Sequence, residues 1–445
     1  MKIPGKDYAE NAVEYSFELP TEAVTISYEV PTAMPNVLVD QLGYEPDSSK
    51  TVIFKGEELP ETFTVRERES GRIVYTGTVK MRSNSETEKE YNSYGEFSDL
   101  KEAGNYYVQI DKYGESYPFI IHDNLYYSLF KRAFSKLSAM RGGAYDSKDG
   151  GWQIAEVGEN KEITACLCMY QLLTSYEIFP EVYTDDAGIP ESGNEIPDVL
   201  DECRYEAEWL IYQAQINPNG SGKACGYRAA VLARYAYLTR NMDSAFAGEC
   251  LKAAESAWKS AGKDLSVPDD VYALAAAELY RLTGSGQYRK VAEDYLRLCA
   301  QQKGKMSDLE FFAGVVYMKT KSSVDVTLCD SLIDKLMEEA ESIAAKSKQD
   351  PFLVCLGKNS ADSRTLLQEM LRICVVNHVI TNHEYNTVIE NHFHYLMGRN
   401  PQSICYVSYW EGQEMQSGDI LDAPVENAAF IFMLSELVSS QINRG

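Results

Sequence analysis

The sequence predicts two joined folds, an immunoglobulin-like β-sandwich followed by an all-helical domain, and three observations predict them. Residues 36–121 are dominated by β-branched and aromatic runs, partly alternating with polar residues, as in strands with one buried face. After Asp123 the apolar spacing lengthens to that of helices. Such helical stretches then recur about ten to twelve times with short joins, which favours antiparallel helix pairs.

Residues 1–35 are a weakly patterned leader, read as an added strand and a proline-containing linker. The sandwich is bounded at 36–122. VLVDQLGYEP, KTVIFKG, TFTVRERESGRIVYTGTV and NYYVQIDKYGESYPFII supply about seven short strands separated by Gly, Pro, Asn and Ser turns. Ser70-Gly71 is placed in a hairpin turn. All ten cysteines fall after residue 165, so no disulfide pins this region as it would an antibody domain.

The helical domain is bounded at 123–445. LYYSLFKRAFSKLSAM, PDVLDECRYEAEWLIYQAQ and DDVYALAAAELYRLTG are representative stretches. Asp269 and Asp270 are placed as caps of a helix that stops at Gly284, and Pro197 suits a first helical turn. Pairs of this kind close into an (α/α) toroid or continue as an open solenoid, and periodicity alone leaves both open.

With 445 residues, 44% hydrophobic and 24% charged, the chain is long enough for two or more domains with their own cores. A net charge of −25 and a pI near 4.7 disfavour nucleic acid and anionic membrane surfaces, which would repel it. A neutral ligand such as a sugar is not repelled. No apolar run is long enough to cross a bilayer. The N-terminal stretch lacks a secretory apolar core, and the cysteines sit in apolar helical contexts as small hydrophobes. A cytoplasmic location is therefore expected, with secretion expected instead if a signal segment has been removed.

In order along residues 36–440 stand VLVDQLGYEPDSSKTVIF, SGRIVYTG, FSDLKEAGNYYVQI, IPESGNEIPDVLDECRYEAEWL, DDVYALAAAELYRLTGSGQY and YLMGRNPQSICYVS. Together these stretches resemble glycoside hydrolase family nine, the cellulase family. The resemblance implies an (α/α)6 barrel behind the immunoglobulin-like domain, and inverting hydrolysis of β-1,4-glucosidic bonds. Inversion needs a base carboxylate and an acid carboxyl roughly 6.5–9.5 Å apart.

The residues that would carry that chemistry depart from the family's pattern. Its base region reads GGWHDAGDYGKY; here Gly150-Gly151-Trp152 is kept, but the two aspartate positions are Ile154 and Val157. Glu156 and Glu159 are the nearest carboxylates, and the sequence favours solvated loop charges over a displaced base, because positional tolerance at a reacting centre is tight. The family's acid falls, by count, on Leu421, with Asp422 adjacent. Capping of the last helix by Asp419 or Asp422 is the simpler reading of those aspartates. The family's His-His-Arg sugar-binding motif has no counterpart, since no histidine follows His394.

Trp152, Tyr406, Tyr409 and Trp410 offer flat faces for a sugar, while Trp152 serves equally well as a brace for its loop. The histidines are spaced poorly for a shared metal, His392 and His394 by two and His378 and His383 by five. Asp185, Asp186, Glu191, Glu195 and Asp198 crowd one loop that supplies the oxygen chemistry of calcium without EF-hand spacing; helix capping and surface roles are commoner. No cofactor is otherwise indicated. The preferred expectation is a cellulase-like scaffold for a β-linked oligosaccharide that lacks ordinary catalysis. Its rivals are a glycosidase using Glu156 with Asp422 on short oligosaccharides, and a protein-interaction scaffold with a large apolar patch.

Overall fold

The computed structural model describes residues 36–443 apart from 57, 82–92, 148–149, 218–219, 263, 265–266, 357–362, 381–382, 408–420 and 422, together with two N-terminal strands. Those strands, β1 (Val13–Glu18) and β2 (Ala23–Tyr28), pair antiparallel with each other. The chain divides into two compact units, residues 1–123 with 394–418, and residues 124–393 with 419–445.

The first unit is a two-sheet sandwich. One sheet has the order β3 (Val37–Leu38), β4 (Thr51–Phe54), β8 (Ser93–Glu96), β7 (Lys80–Met81). The other runs β10 (Gly114–Glu115), β9 (Gly104–Ile110), β5 (Thr62–Glu67), β6 (Ile73–Thr78), with β11 (Phe119–Ile121) also on β9. Phe63 and Val65 of β5, and Tyr106, Val108 and Ile110 of β9, alternate inward onto Phe54, Phe97 and Phe119, which is the period-two pattern of a half-buried strand. Tyr44 meets the rings of Phe97 and Phe119 edge-on. The expected hairpin turn is present: the N–H of Gly71, at φ 68°, donates to the Glu67 carbonyl between β5 and β6.

Two motifs more than 350 positions apart meet in this unit. The Gln41 backbone N–H donates to the Met397 carbonyl at 2.8 Å, and its side-chain amide donates to the Ser403 carbonyl at 2.7 Å. His394 Nδ1 lies 2.7 Å from Asp40 Oδ2, both side chains fully buried. Burial pushes the Asp40 carboxyl up and the His394 imidazole down, so charge is disfavoured on both and the contact is a buried hydrogen bond.

The second unit is helical: α1 (Leu125–Ser138), α2 (Glu159–Ile178), α3 (Asp198–Ile216), α4 (Gly222–Thr239), α5 (Ser244–Ala261) and α6 (Asp269–Thr283), then α7 (Gly286–Gln301), α8 (Asp308–Met318), α9 (Val326–Gln349), α10 (Ser363–Ile380), α11 (His383–Leu396) and α12 (Pro424–Ile442). Helices α4, α6, α8 and α12 are buried around most of their circumference, whereas α5, α7 and α9 have one apolar stripe, the distinction between inner and outer helices. Inner helices pack in sequence, α2 on α4, α4 on α6 and α6 on α8, and α12 packs on both α10 and α2. That return of α12 to α2 closes the ring and gives the (α/α)6 barrel over the open solenoid.

Two helix starts differ from the sequence reading. Pro268 holds the N-cap position of α6, so Asp269 and Asp270 occupy its first turn, where their charge complements the helix dipole. Gly284 ends that helix at φ 69°, as a left-handed C-cap should. Ala423 holds the N-cap position of α12 with Pro424 behind it; Asp419 and Asp422, the expected caps, lie outside the described residues. All ten cysteines are free thiols, half-buried at Cys329 and Cys355 and buried elsewhere. Among the described residues no helix is long and apolar enough to cross a membrane.

Candidate functional site

The loop from Ala139 to Gly158 joins α1 to α2 and carries the Gly-Gly-Trp motif. Arg141 and Trp152 face each other in an antiparallel bridge, with Gly142 N–H donating to the Gly151 carbonyl at 2.9 Å and Gln153 N–H to the Met140 carbonyl at 2.6 Å. Gly151 has φ 71°, and a Cβ there would lie 2.6 Å from the Trp209 ring. Backbone conformation and close approach both demand glycine.

Helix α3 holds this loop through two carboxylates one turn apart. Glu202 accepts the Trp152 indole N–H at 2.7 Å and the Arg141 Nε–H at 3.0 Å; Glu206 accepts the Trp152 backbone N–H at 2.8 Å. Arg141 makes a forked pair with Glu191, 2.9 Å to each oxygen, and lies over the Tyr205 ring. From α2, Lys161 donates to the Gly150 carbonyl at 3.1 Å and sits 4.9 Å from the Trp209 ring centroid. Burial raises Glu202 despite Arg141 beside it, and pushes Glu206 up to about 8 against the pull of the Trp152 N–H and Lys161. Glu206 is therefore a neutral acid at pH 7, and its Oε1 is buried without a hydrogen-bond partner.

Trp152 is 0% exposed. With no open face and its N–H held by Glu202, it has the contacts of a brace for the loop. Ile154, the first counted aspartate position, is 8% exposed, and Val157, the second, is 82% exposed. Glu156 lies between them in the exposed part of the loop. Glu159, in the first turn of α2, accepts the Ser221 hydroxyl at 2.6 Å.

Leu421, the counted acid position, is 0% exposed, and Tyr406 is buried too. Asp419, Asp422, Tyr409 and Trp410 lie outside the described residues. In the acidic loop the carboxylates serve the loop itself. Asp185 accepts the N–H groups of Gly193 and Glu195, each at 2.6 Å, and Asp198 accepts the Ala187 N–H and the Ser192 hydroxyl. Glu191 is paired with Arg141. Among the described residues no group of three or more His, Cys, Asp or Glu is placed to hold a metal.

Sequence reading missed the buried carboxylates around this region. Glu202 and Glu206 stand at i and i+4, the one available signal that they share a face, but their charge suggested solvent. Glu162 of α2 pairs with Arg228 of α4, whose Nε donates at 2.6 Å, and Glu426 in the first turn of α12 pairs with Arg364 of α10. Glu202, Glu162 and Glu426 are committed to fixed partners, which suits structural more than proton-transfer work.

Residues 32–115 match the cellulase N-terminal ig-like domain, and residues 211–417 match glycosyl hydrolase family 9. Endoglucanase D of Acetivibrio thermocellus is 23% identical over 84% of this chain and 72% of its own length. A xyloglucan-specific endo-beta-1,4-glucanase of Bacteroides ovatus is 22% identical over 85% of this chain and 81% of its own. Among solved structures, a metagenome-derived glycoside hydrolase family 9 endoglucanase superimposes with a TM-score of 0.76 at 18% identity, covering 91% of this chain and 99% of the other. That superposition shows the shared fold.

Proposed function

We propose that this chain, which belongs to glycosyl hydrolase family 9, binds neutral β-linked glucan oligosaccharides without carrying out ordinary inverting hydrolysis. One observation carries the reading. The counted base positions hold Ile154 and Val157 and the counted acid position holds Leu421, and none of these side chains can take or give a proton. An inverting mechanism needs two carboxyl groups facing each other at roughly 6.5–9.5 Å across the scissile bond. Around the loop, Glu202 is occupied by Trp152 and Arg141 and Glu162 by Arg228, and one oxygen of Glu206 accepts the Trp152 N–H.

Retention of the Gly-Gly-Trp brace supports a scaffold kept for a role other than the lost chemistry. The named relatives include a xyloglucan-specific glucanase, and the net charge of −25 favours neutral over anionic glycans. The test is incubation with cello-oligosaccharides, xyloglucan oligosaccharides and mixed-linkage β-glucan, beside the variants Glu156→Gln and Asp422→Asn. Binding without release of new reducing ends is expected. Turnover by the parent chain that disappears in both variants would instead establish hydrolysis by relocated carboxylates.

A further inference from the structure

A cavity of about 360 Å3 opens on the outer wall of the barrel between α3 and α5. Tyr145, on the loop after α1, borders it together with one face of α3, which presents Arg204, Glu208 and Tyr212 at successive four-residue steps. The N-cap of α5, Asp243, and Phe246 in its first turn complete this side. Its size falls at the lower end of small-molecule sites, ~300–1,000 Å3.

Part of the lining is rigid. Arg204 donates from Nε to Glu208 at 3.0 Å and from Nη1 to Asp243 at 2.6 Å, and its guanidinium lies 4.3 Å from the Phe246 ring centroid. Asp243 in turn caps α5 by accepting the Phe246 N–H at 3.0 Å. Groups held in this way lose little freedom when a ligand arrives.

The rest of the lining is unpaired. Tyr145 and Tyr212 make no hydrogen bond to any described residue, whereas Tyr170, Tyr183, Tyr205, Tyr295 and Tyr317 of the same unit all do. Tyr145 is 45% exposed. Any one such phenol is simply hydrated. Two of them bordering a concavity, with fixed carboxylate and guanidinium groups beside them, complement a ligand that has flat C–H faces and a rim of hydroxyls. Asp146, Glu208, Asp243 and Glu249 outnumber Arg204 around the cavity, which opposes uronic or sulfated sugars.

We infer that this groove is a second, non-catalytic glycan-binding site for a neutral β-linked oligosaccharide. The inference rests on the proposed function, because glycan binding is the premise of both. The test is calorimetric titration of the full chain with cellotetraose and with the same oligomer oxidised to glucuronic units. The parent should bind two equivalents of cellotetraose, and Tyr145→Ala/Tyr212→Ala should bind one. Tyr212→Phe, which keeps the ring face, should retain both equivalents with a several-fold loss of affinity at one. Unchanged melting temperatures separate lost binding from lost folding. Stoichiometry unaffected by the double substitution overturns this site while leaving glycan binding intact. Equal affinity for the oxidised oligomer overturns the neutral preference. Absence of cellotetraose binding by the parent defeats the proposed function and this inference together.

Discussion

Glu206 accepts the backbone N–H of Trp152 at 2.8 Å from 54 positions away in sequence, and burial makes it a neutral acid at pH 7. The Gly-Gly-Trp loop is thus held by a buried acid on α3.

A pH signature follows from that burial. The folded value of about 8 lies above the unfolded one near ~4.3, so the native state holds a proton that the unfolded chain releases. Glu206 should therefore contribute a fall in stability as pH rises from about 4 to about 8, and no further change above that. Glu206→Gln keeps the amide acceptor and removes the titration. The variant should match the parent near pH 4.5 and exceed it at pH 8.5, by on the order of 4 kcal/mol. Urea denaturation at the two pH values measures this, and parallel pH profiles would refute it.

Trp152 distinguishes bracing from stacking. Trp152→Phe keeps an aromatic face but removes the N–H that Glu202 accepts, leaving a buried carboxylate one partner short. A loss of about 1–3 kcal/mol is expected, with oligosaccharide affinity unchanged. Calorimetry beside thermal melting checks both, and affinity that drops with stability intact would restore the stacking role.

The inner helices also enclose a charge network far from the loop in sequence. Glu278 pairs with Arg234 at 2.7 Å and Arg281 at 2.8 Å, and the same two arginines with Lys319 hold Glu177. Glu278→Gln should cost about 3–5 kcal/mol, because two buried guanidiniums lose one of their two counter-charges and keep only Glu177. Burial alone would raise Glu177, but Arg234, Arg281 and Lys319 hold it well below the usual carboxylate range. Its stabilisation is present above the unfolded value, near pH ~4.3, and is lost as pH falls toward the folded one. Acid unfolding of Glu177→Gln should start from lower stability and depend less on pH; an identical acid limb would refute this.

Much of the fold was readable from local pattern. Alternation across TFTVRE became β5, with Phe63 and Val65 inward, and the apolar spacing of DDVYALAAAELYRLTG became α6, stopped at Gly284. These features follow from pleat and helical pitch, which neighbouring residues specify by themselves. Helix caps were less readable: Ala423 stands at the cap of α12 where Asp419 or Asp422 was expected, because cap geometry depends on where the chain turns.

The candidate site divides along the same line. Sequence alone determined which side chains stand where the resemblance counts catalytic carboxyls, and Ile154, Val157 and Leu421 cannot exchange protons in any fold. Tertiary structure decided that the ring closes, because α12 reaches α2 only in space. It also decided which carboxylates of DVLDECRYEAEWL are buried. Asp198, Asp201, Glu202 and Glu206 are, and Glu208 is only partly so. A carboxyl group can enter a core only when fixed donors compensate its lost hydration or it keeps its proton, and the donors to Glu202 and Glu206 lie on a loop some fifty residues away.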